Sequence, residues 1–338
     1  ADGLRSVTVG GRSNTASGDD SVAIGGRGLV ASYTGSVAIG GLSNESSGQR
    51  SLALGGSSNE AKGTDSVTLS GRENESKGLI AVTISGMSNS ARGQNSILLG
   101  GKDNQTFASS DAGVIASNPE GGNGAVIITG GSNEARGARS VIVGGMHNIT
   151  YASGDIILGG MENSTKAQRA MVLNGDYNEA KGYEAVAIGG MSNDSTGRHS
   201  LTVGGYSNAA TAQNAVAVGG RNNTATEVGA VVFGGASNDS IGQRTLVAGG
   251  NDNTASGDEA LALGGEKNLS SGPKAVTIAG YGNIASGENA VTLGGRELKA
   301  EDIGSVAIGG TLNAAVESRS VVIGGEYIKT TGYEASVF

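Results

Sequence analysis

Residues able to do covalent or metal chemistry are scarce in this chain. It has two histidines, His147 and His199, and no cysteine. Neither histidine has a serine or cysteine partner pattern, so nucleophilic catalysis is not expected. Disulfides and thiolate metal sites are excluded by composition. The stretch 121–124 (GGNG) has the glycine content of a calcium-binding repeat, without its aspartate or its nine-residue period. No G-K-[ST] follows the glycine-rich turns, so they are not phosphate loops. Nine N-x-[ST] sequons occur, among them Asn44, Asn74, Asn104, Asn148 and Asn163, but they follow from a repeated Asn-x-Ser/Thr spacing. The expectation is a non-enzyme with no catalytic residue, no metal and no cofactor. A net charge of −8 argues against a nucleic-acid partner, which needs a basic face. No apolar run approaches the roughly 20 residues of a membrane-spanning helix.

The spacing of the remaining residues is the strongest signal. Glycine makes up 62 of the 338 residues, yet proline is only 2, which excludes collagen. From Ser6 the chain falls into 15-residue units such as SVAIGGLSNESSGQR (36–50). The register holds to residue 110, resumes at Ala125 and runs to Glu334, giving 21 regular units. With units numbered 1 to 15, positions 2 and 4 are apolar and position 6 is glycine in all 21. Position 5 is glycine in 16, position 9 is asparagine in 18, and position 13 is glycine in 13. Leu29, Leu298 and Ile328 are the exceptions at position 9.

A 15-residue unit with apolar residues two apart reads as a strand, too short and too glycine-rich for a helical repeat. The Gly-Gly turn needs positive φ, and a second short strand fits positions 9 to 13. Asparagine at 9 tolerates left-handed backbone, can bond its own turn, and can ladder from coil to coil. The fold class is all-β: a parallel β-solenoid of about 22 coils. Positions 2 and 4 are expected to point into the coil, opposite a small residue at 11. Position 3 is then the outer face, and it is Ala, Thr, Val, Ile or Leu throughout. That stripe (Ala23, Ala38, Leu98, Ile127, Ile142, Ile157 and Val172 among others) predicts lateral self-association, because soluble monomers rarely expose such a continuous apolar patch. The alternative is a monomer with a bland Ala/Thr face.

The unit S-V-A-I-G-G-x-S-N-x-x-x-G, whole at Ser36 to Gly48, resembles the head repeats of trimeric autotransporter adhesins, the YadA-like heads. The resemblance covers nearly the whole chain. It implies a left-handed parallel β-roll, a parallel homotrimer, and display on a bacterial cell surface through an outer-membrane anchor absent from this chain. It implies adhesion to a host matrix protein, a host receptor or a partner-cell surface, with no membrane contact by this segment. The family repeat is nearer 14 residues, whereas this one is 15. A collagen-associated motif, N-S-V-A-I-G-x-x-S, has near matches at Ser36–Ser43 and Ala185–Ser192 that lack the leading residues. They contain only what the coil requires, so collagen binding is not read from them.

The organisation expected is a single repetitive domain, 1–338, with regular coils at 6–101 and 125–334 and an irregular insertion at 102–124. Residues 1–5 match positions 11 to 15, and 335–338 begin a further unit, so the chain is expected to continue at least beyond its C-terminal end. The insertion threads as a long coil ending near Ala112 and a short one, with Val114 and Ala116 at positions 2 and 4. Its Phe107, Asp111, Pro119 and Glu120 are candidate ligand contacts, or the segment is a neutral insertion. A second candidate is the row at position 7, where Met146, Met161, Met191 and Tyr206 fall, with His147 and Tyr177 at position 8. Methionine suits adaptable binding surfaces, and it equally suits a corner contact between chains. Three rivals remain: a monomeric ice-binding solenoid, disfavoured by the interrupted threonines at position 3; a carbohydrate-active β-helix, which needs longer coils; and a trimeric phage tail-fibre segment.

Overall fold

The computed structural model describes residues 1–107 and 123–338. The chain is an all-β parallel solenoid of about 21 coils, in two compact units, Ala1–Asp176 and Tyr177–Phe338. Each coil carries a three-residue strand at positions 2–4, such as Val37–Ile39, and a two-residue strand at 10–11, such as Glu45–Ser46. Within each compact unit, strands pair in parallel with their equivalents in the next coil, usually fifteen residues on, as Val37 with Leu52 and Ser46 with Ala61. A single-residue bridge at position 7, such as Arg27 to Leu42, links successive coils at a third place.

The turn explains the glycines. Positions 5, 6, 8 and 15 all have left-handed backbone; in the coil from Ser36 these are Gly40, Gly41, Ser43 and Arg50. Position 9 does not, so its asparagine is selected for its side chain and not for its φ. At position 5 a Cβ would meet nothing, as at Gly189, and Ser70, Ser85, Thr129, Asn174 and Ala279 occupy that place. At position 6 a Cβ would overlap the next coil's backbone and the asparagine amide, as at Gly190. Position 13 has no positive φ, but a Cβ there, as on Gly182, would strike the backbone of the next coil. Only position 6 combines a left-handed φ with a clash against the next coil's backbone, and only position 6 is invariant.

Asparagine 9 is buried and laddered. Asn44 Nδ2 donates to the carbonyls of Gly40 (2.9 Å) and Gly55 (2.7 Å), while its Oδ1 accepts the N–H of Asn59 (3.0 Å). The pattern recurs through both units, for example from Asn193 to Asn208 and Asn208 to Asn223. Leu29 and Leu298 fill the same slot with hydrocarbon and are fully buried.

The two faces of the first strand are the reverse of the sequence expectation. Position 3 points inward: Ala23, Ala38, Leu98, Ile127, Ile142, Ile157 and Val172 are fully buried within the chain itself, so none can form a contact with another chain. Positions 1 and 11 face the same interior. Some position 3 threonines bond the small residues across the interior, as Thr68 to Ser76 (3.0 Å) and Ser76 to Thr83 (2.8 Å), whereas the hydroxyls of Thr202 and Thr292 are buried without a partner. The enlarged residues from Leu98 to Val172 form one internal column through consecutive coils. The aliphatics at 2 and 4 point outward, and Val9, Ile24, Ile39, Phe233 and Leu293 are exposed. Two short strands enclose too narrow a space for two large rows, so the single row at position 3 is the one enclosed.

Across the insertion the flanking coils are direct neighbours. Ile97–Leu99 pairs directly with Val126–Ile128, and Asn133 N–H bonds Asn104 Oδ1 across 29 residues. Val114 and Ala116, threaded above at strand positions, lie outside the described residues. The regular coil extends to Phe107, whose N–H bonds the Ala135 carbonyl (3.2 Å).

The steric difference between positions 5 and 6 is testable by denaturant unfolding of two adjacent variants. Gly189→Ala should cost about 1 kcal/mol, the usual left-handed penalty. Gly190→Ala adds a backbone clash and should cost roughly 3 kcal/mol or more. Equal losses would refute the contact explanation.

Candidate functional site

The candidate residues occupy two corners of the coil. At position 7, adjacent coils bring Met146 beside Met161 in the first unit and Met191 beside Tyr206 in the second. Met146 (47% exposed), Met191 and Tyr206 lie open to solvent, and Met161 is half-buried. Met161 is followed in its row by Asp176, so an acidic residue interrupts the apolar row. His147 and Tyr177 stand at position 8 in left-handed backbone, both exposed. The turn itself sets this exposure, because a left-handed residue between bridge and asparagine turns its side chain away from the coil.

Phe107 lies on another side, at position 12. Its ring is 5.1 Å from the Arg136 guanidinium and 6.0 Å from that of Arg92. Arg136 also stacks on Tyr151 at 5.1 Å and is held by Glu134, with Nε at 2.8 Å from the carboxylate. Successive coils thus present Arg92, Phe107, Arg136 and Tyr151 as an alternating row of cations and rings. Aligning only the aromatic residues by unit position exposes the row. Its centre, Phe107, is the last described residue before the insertion. Asp111, Pro119 and Glu120 lie outside the described residues.

The position 9 sequons are closed in the folded chain, since their amides are fully buried and bonded. Among the described residues, no group of three His, Asp or Glu side chains converges as metal ligands do. Surface charge is organised coil to coil. Arg50 and Asp65 pair at 2.6 Å at position 15, and each charge favours the other's ionised form. Such exposed pairs contribute little stability.

No protein-family model matches the chain, and no curated protein matches it.

One interior group is out of pattern. Asp155 stands at position 1, where other coils place Ser, Ala or Thr, and it is fully buried. The N–H groups of Ala152 (2.9 Å) and Ala170 (3.2 Å) donate to it. Burial outweighs those bonds and pushes its carboxyl up to about 7. An unfolded aspartate titrates near 3.8, so the folded chain holds a proton that the unfolded chain has lost. The stability linked to that proton is complete below about pH 4 and is lost as pH rises through 7. Thermal unfolding of wild type and Asp155→Ser should therefore diverge with pH. The variant gains relative stability between pH 4 and 7, on the order of 4 kcal/mol at most. Parallel pH curves would show that Asp155 has no raised pKa.

Proposed function

We propose that this chain is the head segment of a trimeric bacterial surface adhesin, a non-enzymatic scaffold presenting a binding surface to a host matrix protein, a host receptor or another cell. The observation that supports it most is the outward aliphatic pair at positions 2 and 4. Within each compact unit the regular coils place two apolar side chains on one flank, partly buried at position 2 and as open or more so at position 4, as at Val37 and Ile39. The opposite sheet turns Glu45, Glu60, Glu75 and Glu134 outward at position 10, so the asymmetry belongs to one face. Water disfavours a patch of that extent. A partner covering it needs the same axial repeat of about 4.8 Å, held over many coils. Parallel copies of the same chain meet that requirement in register. The self-association reading therefore moves from position 3 to positions 2 and 4.

Three parallel chains, a left-handed coil and a cell-surface location are the finer parts of this proposal, and they rest on the repeat's resemblance to YadA-like heads. Adhesion would fall to side chains that the coil does not constrain: the methionine corner, the Phe107 row and the insertion. An ice-binding role is disfavoured for a separate reason. Thr68, Thr83, Thr202, Thr277 and Thr292 are buried inside the coil and cannot present a plane to ice.

The solution mass tests the assembly. A trimer should give about 99 kDa, three times the 33.1 kDa chain, and a 33.1 kDa species would defeat it. The variant Ile24→Asp, Ile39→Asp, Phe233→Asp should shift the mass towards the monomer while keeping the β-sheet circular dichroism. Cells displaying the wild-type chain should adhere to matrix-coated surfaces. Deletion of 108–122, or Met146→Ser with Met161→Ser, then separates loop from corner by which one abolishes attachment without changing mass.

A further inference from the structure

The sheet formed by positions 10 and 11 carries one local feature that the assembly does not use. In the coil from Ser305, the outward positions 8, 10 and 12 are Leu312, Ala314 and Val316, and no other regular coil has hydrocarbon at all three. The coils on either side are polar. Lys299 and Lys329 pair with Ala314 from its two sides, so the two ammonium groups stand on rows about 10 Å apart, two strand spacings. Glu297 lines the first wall and the exposed Tyr327 the second. Together they enclose a trough of about 320 Å³ with an apolar floor. Lys299 pairs with Glu301 (3.8 Å), which also lines the trough, and Glu297 pairs with Arg296 (3.4 Å). Lys329 makes no ion pair among the described residues.

We propose that this trough is a binding site for a carboxylated pyranose, a sugar ring bearing one acid group. The volume suits one or two sugar rings and lies at the small end of ligand pockets. A pyranose has an apolar C–H face, which Leu312, Val316 and the Tyr327 ring can cover. Its carboxylate takes the Lys329 ammonium, with Lys299 within reach from the facing wall. Its hydroxyls donate to Glu297, an acceptor that an aliphatic acid would leave unused. An acidic peptide fits less well. The strand Ala314–Ala315 is already paired on both sides, leaving no main-chain edge for an extended peptide to join. The site is built by one chain on the sheet facing away from the aliphatic flank. It is independent of the trimer, and either proposal can fail without the other.

The test is calorimetry and saturation-transfer NMR on the full chain at low salt, with D-glucuronate, D-glucose and acetate as probes. Glucuronate should bind with a Kd on the order of 1 mM, and glucose and acetate each about tenfold more weakly. Lys329→Gln should weaken glucuronate about tenfold, to the level of glucose. Ala314→Glu should abolish binding by filling the floor and placing a carboxylate between the two lysines, and the coil accepts glutamate at this position, as Glu45 and Glu60 show. The proposal is overturned if acetate equals glucuronate, which would mean lysine charge alone. Equal binding of glucose, unchanged binding by Ala314→Glu, or no glucuronate signal at about 20 mM would each overturn it too.

Discussion

The close stacking of one turn directly upon the next depends on the asparagine at position 9. A coil of fifteen residues closes through consecutive left-handed residues at 5 and 6, and such a turn leaves carbonyls and an N–H directed inward. Buried groups of that kind cost about 1–3 kcal/mol each when unpaired. The asparagine amide serves the carbonyl of its own turn and one of the next, and its oxygen serves the N–H of the asparagine above. Asn44, between Gly40, Gly55 and Asn59, does all three. Because the amide and the next coil's backbone fill the turn, no Cβ can stand at position 6, and that glycine persists even where Leu29 or Leu298 replaces the asparagine. Leu29 and Leu298 show that the slot can be filled by shape alone while the ladder is interrupted.

That tight closure makes the coil thin. Between the two strands there is room for a row of Ala, Thr or one branched aliphatic at position 3 and a row of Ala, Ser or Thr at 11. Many hydroxyls inside pair with each other, as Ser195 does with Ser200 at 2.7 Å, while a few, Ser21 and Ser66 among them, are buried without a partner. The large aliphatics of the strand have no interior to enter and stand outside. A single chain thus gains much of its cohesion from backbone and amide hydrogen bonds between coils. Its most hydrophobic surface stays available for association.

The repeat length, the strand positions, the asparagine ladder and the inward direction of position 11 were all legible in the sequence, because each is set by local spacing. The direction of the first strand was not. Alternation with period two says that residues 2 and 4 share a face opposite 3, but when both faces are apolar it does not say which is inside. The width of the coil decides that, and width depends on how position 6 and asparagine 9 pack against the following coil. The same limit applied at the insertion. The spacing there does not announce that Ile97 pairs directly with Val126, twenty-nine residues on. Local spacing also hid the Arg92, Phe107, Arg136 and Tyr151 row and the trough at Ala314, since both consist of unlike residues whose relation exists only after coils are stacked.

The stack divides the molecule by tolerance as well as by chemistry. Positions 1, 3, 6, 9 and 11 see the interior or the next coil, and positions 2 and 4 remain aliphatic although they see solvent in one chain. Retaining Val, Ile and Leu there, where Lys or Thr would suit an exposed strand, is hard to reconcile with a surface that stays wet. At positions 7, 8, 10 and 12 a substitution meets open space, and there the chain places its methionines, stacked rings, lysines and the apolar floor at Ala314. A regular stack turns each such substitution into a group held at a set height beside its neighbours. Single-residue changes can therefore create or remove a binding surface at any level without altering the coil that carries it.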